Sequence, residues 1–212
     1  MIGIVDYNAG NITSVERALT FLNADFVLSK KPGDLVNCDK IIFPGVGDAL
    51  YAMEQLKITG FDVFLKEWAF SGKKLAGFCL GAQIIFDYSE EGNTECLGLI
   101  PGKIRHFKNL WKEAGVNLNN ELKSPHMGWN NIEYANGTST LLKNIPENTD
   151  FYFVHSYVIC PQEESVVKAF CSYGVKVPSC IEKDNITVFQ FHPEKSGKSG
   201  LQILKNFVDS EN

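Results

Sequence analysis

Over the first 88 residues, short apolar runs alternate with stretches of helical spacing. Runs at 2–5, 26–28, 40–43 and 74–79 are too short for helices. They are bounded by Gly, Pro, Asn or Asp, so they predict buried strands. Between them Ile12, Val15, Leu19 and Leu22 recur on one helical face, with Glu16 and Arg17 on another. Helices are also predicted over 49–56, 61–70 and 80–88. Asn11 and Asp48 stand where helix N-caps belong. Strands linked by helices in this way predict an α/β fold, a mostly parallel sheet with helices on both faces. Sites in such sheets form outside the carboxyl ends of the strands. The turns at 6–11 and 44–47 and the residue Cys79 therefore share one rim.

After residue 100 the pattern changes. Segments 103–107, 130–134, 151–155, 166–172, 178–182 and 186–191 read as strands with no long helix between them. They predict a more antiparallel C-terminal half. Residues 108–124 are polar and read as a surface loop. Residues 196–209 close the chain as a helix with Leu201, Leu204 and Val208 on one face. No repeat, low-complexity tract or linker divides the chain, so one domain over 1–212 is expected.

Composition narrows the function. The net charge is −5, with no basic cluster, which argues against nucleic acid or an anionic membrane as partner. No stretch approaches the roughly 20 apolar residues of a membrane span, and the N-terminus has no basic leader. A cytoplasmic location is expected. The six cysteines include no C-x-x-C pair, and none has a histidine at zinc-ligand spacing. Cys160, Cys171 and Cys180 lie in or beside apolar runs and read as reduced core residues. The residues call for no metal and no other cofactor. The phosphate-binding patterns G-x-G-x-x-G and G-x-x-x-x-G-K-[ST] are both missing.

One stretch carries chemistry. Gly77-Phe78-Cys79-Leu80-Gly81 sits between a predicted strand and a predicted helix. It is the cysteine form of the nucleophile elbow, a tight turn that lifts one side chain into the open. The Leu80 N–H, just after the nucleophile, can donate to an oxyanion. Taken alone, Cys79 could equally be one more buried cysteine. A base is needed, and Phe191-His192-Pro193-Glu194 offers one. Residues i and i+2 of an extended chain share a face about 6.6 Å apart, so Glu194 can orient His192. The bland alternative is a surface proline turn. Among the other histidines, His155 reads as a pocket-shaping residue, His126 as structural and His106 as solvated. Pro44-Gly45-Val46-Gly47 can aim backbone N–H groups at a ligand, or can be a plain strand-to-helix turn.

Together these segments resemble the class I (triad-type) glutamine amidotransferases, and among them the glutaminase subunits of imidazole glycerol phosphate synthases. Also matching are Tyr7 to Asn11, Gly98-Leu99-Ile100-Pro101-Gly102, His126-Met127-Gly128-Trp129-Asn130, Phe153-Val154-His155-Ser156-Tyr157 and Gln190-Phe191-His192-Pro193-Glu194-Lys195-Ser196. The resemblance spans nearly the whole chain. It implies a flavodoxin-like glutaminase that splits L-glutamine into glutamate and ammonia. The ammonia would feed a (β/α)8-barrel cyclase subunit, held as a heterodimer, that makes imidazole glycerol phosphate and AICAR in histidine biosynthesis. Cys79 would attack, His192 shuttle the proton and Glu194 orient His192. Leu80 and Val46 would supply the oxyanion hole. Gly47, Gln83, His155, Ser156 and Tyr157 would line the glutamine pocket, and Asn11, Trp129 and Lys195 would face the barrel. Asn8, Ala9 and Ala82 depart from the family's usual pattern. That leaves open a paralogue feeding ammonia to a sugar-nucleotide amidotransferase. A stand-alone γ-glutamyl hydrolase and a non-enzymatic regulator are further alternatives.

Overall fold

The structure, a computed structural model, describes residues 1–9, 12–117 and 122–211. The four apolar runs become strands β1 (Ile2–Val5), β2 (Phe26–Ser29), β3 (Lys40–Gly45) and β4 (Lys74–Cys79). Helix α1 (Ile12–Phe21) links β1 to β2, and α2 (Ala49–Thr59) with α3 (Phe61–Phe70) links β3 to β4. Asp48 caps α2, accepting from the Tyr51 N–H at 2.9 Å. The expected cap at Asn11 lies outside the described residues.

The helix expected over 80–88 is a single turn, α4 (Leu80–Gln83). The carbonyls of Ile84, Ile85 and Phe86 accept from the N–H groups of Leu97, Leu99 and Gly98, so they are not left for a continuing helix. All three side chains are fully buried, which one face of a helix cannot arrange. Short strands β5 (Tyr88–Ser89) and β6 (Thr94–Glu95) follow, then β7 (Gly102–His106). The expected loop over 108–124 begins as helix α5 (Phe107–Glu113), which buries Phe107 and Trp111 one turn apart. His106 is not merely solvated: its Nδ1 caps that helix, accepting from the Lys108 N–H at 3.0 Å.

The rest is β8 (His126–Asn131), β9 (Glu133–Tyr134), β10 (Asp150–His155), β11 (Tyr157–Pro161), β12 (Val167–Ser172), β13 (Lys176–Lys183), β14 (Ile186–Phe189) and helix α6 (Gly197–Asp209). The closing helix buries Gly200, Ile203, Leu204 and Phe207, while Leu201 and Val208 are only half-buried.

The main sheet runs β2-β1-β3-β4-β14-β13-β12-β9. Strands β2 through β14 pair in parallel, and β14 through β9 pair antiparallel. The antiparallel character expected of the second half is therefore grafted onto one edge of the parallel sheet. Both faces are covered, one by a core around Phe43, Phe61 and Ile85, the other by a core around Phe78, Phe107 and Phe189. The strands β11-β7-β5-β6 form a side sheet, and β8 pairs antiparallel with β10. Strands β3, β4 and β14 are neighbours. Their carboxyl ends deliver Val46, Cys79 and the 190–194 segment to one rim.

Candidate active site

Cys79 ends β4 at φ 52° and ψ −109°, a region that a side chain enters at a cost of about 1–3 kcal/mol. The register places Gly45 of β3 beside it. Here two backbones touch. A Cβ on Gly81 would lie 2.1 Å from the Phe43 carbonyl oxygen, and one on Gly45 would lie 2.5 Å from the Gly81 nitrogen. Glycine at both positions lets the elbow press against the 44–47 turn.

His192 leaves β14 through buried Phe189 and Phe191. Its N–H donates to the Tyr152 carbonyl at 3.0 Å. The Ser196 hydroxyl donates to the His192 carbonyl at 2.7 Å and accepts from the Tyr152 N–H at 2.9 Å. Glu194 reaches the imidazole as expected, with Oε1 2.7 Å from Nδ1. The backbone route differs, because residues 193–195 form a 3-10 turn rather than extended chain. Both side chains are 2% exposed. Burial disfavours charge on His192, yet the Cys79 sulfur and the Glu194 carboxylate outweigh it and lift its pKa to about 10. The Nε2 atom carries no other hydrogen bond and is free for a proton in transit. The Cys79 thiol itself lies 3.7 Å from the Val154 carbonyl.

His155 is the rival base, and its surroundings exclude it. Its Nδ1 lies 2.7 Å from the Tyr157 carbonyl, so that nitrogen carries the proton. Its Nε2 then accepts from His126 Nδ1 at 3.1 Å. His126 Nε2 accepts in turn from Asn130 Nδ2 at 3.3 Å. Burial pushes His155 down to about 3 and His126 to about 4, so both rings are neutral near pH 7. Only His192 is built to hold a proton.

These groups surround a cavity of about 270 Å³. Val46, Gly47, Cys79, Leu80, Gln83, His155, Ser156, Tyr157 and His192 all line it. Glu194 stands behind His192. Glu91 also lines the cavity, and sequence reasoning missed it. It is half-buried, accepts from the Ala49 N–H at 2.9 Å, and burial raises its pKa above the usual range. A larger groove of about 740 Å³ lies between α5 and β12–β13, but no histidine lines it.

The two N–H groups expected at an oxyanion hole are unequal. The Leu80 N–H opens α4, where the helix offers no partner. The Val46 N–H donates to the Ala9 carbonyl at 3.3 Å and is already engaged.

The residues expected at a partner surface divide. Asn11 lies outside the described residues. Trp129 is 58% exposed on β8, beside Met127 at 63%. Lys195 is exposed, and its Nζ stands 6.0 Å from the ring centroid of Tyr152. Trp129 packs edge-on against the same ring at 6.1 Å. Tyr152, also missed in the sequence, joins this surface to the His192 backbone.

Residues 4–210 match the family model described as glutamine amidotransferase class-I. The chain belongs to that family. It is 44% identical, over 98% of its length and 95% of the relative's, to the imidazole glycerol phosphate synthase subunit HisH of Nitratidesulfovibrio vulgaris. It is 41% identical to the subunit of that name from Chlorobaculum tepidum, covering 99% of this chain and 100% of the relative. A crystal structure of a glutamine amidotransferase superposes with a TM-score of 0.73 at 16% identity, covering 98% and 97% of the two chains. PurLQS from Thermotoga maritima gives 0.68 at 17% identity with the same coverage. These two share the class I amidotransferase fold with it.

Proposed function

We propose that this chain is the glutaminase subunit of an imidazole glycerol phosphate synthase in histidine biosynthesis, acting through Cys79, His192 and Glu194. The observation that carries the reading is the alignment of a buried carboxylate, an imidazole held protonated and a sulfur on a strained elbow, all at one small cavity. The Cys79 sulfur attacks the side-chain amide carbon of L-glutamine. The resulting oxyanion is met by the Leu80 N–H, and by the Val46 N–H once that group leaves Ala9. His192 gives its proton to the departing nitrogen, ammonia leaves and a thioester remains. His192 then takes a proton from water, which attacks the thioester and frees glutamate. Glu194 holds the ring and steadies its charge throughout.

Glu91 adds an acceptor for the substrate's α-ammonium. The ammonia passes to a (β/α)8-barrel cyclase subunit docked as a heterodimer on the face that carries Trp129 and Lys195, and Asn11 is assigned to the same interface. The lyase step belongs to that partner. Identity of 44% to a subunit of this synthase favours the histidine branch over the sugar-nucleotide paralogue. We take residues 1–212 as one amidotransferase domain and its place of work as the cytoplasm. No helix among the described residues is long and apolar enough to cross a membrane.

Cys79→Ala separates the two half-reactions. Paired with the barrel subunit, the variant is expected to form no product from glutamine and to form product from ammonium salt. Glutamine-driven product would remove Cys79 from the mechanism. Loss of both activities in an intact complex would mean Cys79 does more than cleave the amide.

A further inference from the structure

Gln190 is fully buried two residues before His192 and touches no reacting atom. Its Oε1 accepts from Gln83 Nε2 at 2.9 Å. The same Gln83 nitrogen donates to the Tyr157 carbonyl at 3.0 Å. That carbonyl also receives the His155 Nδ1 proton at 2.7 Å. A backbone carbonyl only accepts, so it fixes the direction of every bond in the chain. Gln83 must turn its NH2 toward Tyr157, and Gln190 must turn its oxygen toward Gln83. Reversing either amide would set oxygen against oxygen or NH2 against NH2.

The consequence falls on the cavity. Gln83 is 4% exposed and lines the pocket. Both of its amide hydrogens are spent on Gln190 and Tyr157. Its Oε1 is the polar atom left to face a ligand. Glu91, a carboxylate, lines the same cavity. Two acceptors lining one small cavity suit a cation and reject a second carboxylate. In glutamine that cation is the α-ammonium.

We propose that Gln190 is a positioning residue that fixes the Gln83 amide with its oxygen toward the pocket, and so sets the site's preference for an amide substrate bearing an α-ammonium group. The proposal rests on the glutaminase reading given above. It adds a residue that neither binds glutamine nor takes part in the chemistry. Gln190 Nε2 is buried with no partner, so the side chain is retained for its oxygen. An apolar residue of similar length would avoid burying that donor, but it would leave the Gln83 amide held by the Tyr157 carbonyl alone, one bond in place of two.

The test compares two substrates on the chain paired with its barrel subunit. One is L-glutamine. The other is 5-amino-5-oxopentanoate, which is glutamine without its α-amino group. Wild-type turnover of glutamine tests the underlying reading by itself. Gln190→Met removes the acceptor at similar volume. It is expected to lower kcat/KM for L-glutamine by about tenfold, the worth of a hydrogen bond to a charged group, mostly through KM. The lower kcat/KM for the deaminated substrate is expected to stay within about twofold, because neither arrangement of Gln83 meets an ammonium there. Gln190→Glu keeps an oxygen toward Gln83 and is expected to restore the preference. Gln190→Leu, read in the same way, replaces Gln190→Met if that variant does not fold. Equal losses on both substrates would overturn the proposal, since a fold or chemistry defect spares neither. An unchanged preference in Gln190→Met, or none regained in Gln190→Glu, would overturn it too.

Discussion

Glu194 has two carboxylate oxygens, and only one has a partner. Oε1 meets His192, and Oε2 is buried with none. Burying a carboxylate is expensive unless it is paired, and the partner here is the His192 imidazole. The carboxylate therefore works through the ring. Glu194→Gln preserves shape and removes the charge that steadies the imidazolium. We expect kcat with glutamine to fall more than tenfold, about 1.4 kcal/mol or more of transition-state stabilisation. An unchanged kcat would remove Glu194 from the mechanism. Tyr7 shows the opposite balance. Its hydroxyl is buried without a partner beneath the Gly45 backbone, and burial pushes its pKa far up. Tyr7→Phe removes an unsatisfied donor, so the unfolding free energy read from urea titration is expected to hold or rise, by up to about 1 kcal/mol. A loss of more than that would show that the hydroxyl has a partner. At this scale Cys79, His192 and Glu194 were legible because spacing along the chain marks an elbow and an i, i+2 pair. Glu91, Tyr152 and Gln190 were not, because each owes its role to a neighbour far away in the chain.

Strands were easier to read than helices. The apolar runs at 2–5, 40–43 and 74–79 became β1, β3 and β4 because a strand buried on both faces needs a continuous apolar run. The run at 84–86 is just as apolar, and there a continuing helix was expected instead. It is fully buried but held by the 97–99 backbone, a pairing that local periodicity does not contain. In α5 the signal was present as Phe107 and Trp111, diluted by polar neighbours. Strand β8 alternates as a strand should, His126 and Asn130 turned inward, Met127 and Trp129 outward. That alternation yields two expectations. Trp129→Ala should weaken barrel binding by about 2 kcal/mol with little change in melting temperature, because the ring is mostly exposed. Normal binding with a lower melting temperature would make Trp129 a packing residue instead. Inward, His126 and His155 are buried neutral and titrate below the ordinary 6.5, near 4 and 3. The unfolded chain binds these protons first, so stability is full above about 6.5 and falls as pH drops toward 4. Ring titration by NMR checks this. A midpoint near 6.5 for either ring would contradict it.

Across the whole molecule, the site is complete except for one donor. Adjacent strands bring Cys79, His192 and the pocket walls together within a single chain, and the register of β3 against β4 sets Gly45 beside Cys79. The Val46 N–H, next along, is held by the Ala9 carbonyl. Ala9 stands just beyond β1, at the same rim as Cys79. A partner that displaces Ala9 moves its carbonyl and releases the N–H. Removing one oxyanion donor costs about 10² to 10³ in kcat, whereas the walls of the cavity are already formed. The chain alone is therefore expected to hydrolyse glutamine slowly. Saturating barrel subunit should raise kcat by about 10²-fold or more, with a much smaller change in KM. Steady-state glutaminase assays with and without partner measure both constants. Equal kcat in the two states would mean that the Ala9–Val46 hydrogen bond does not limit the reaction. A rise confined to KM would shift the partner's effect from the oxyanion turn to the walls of the glutamine pocket.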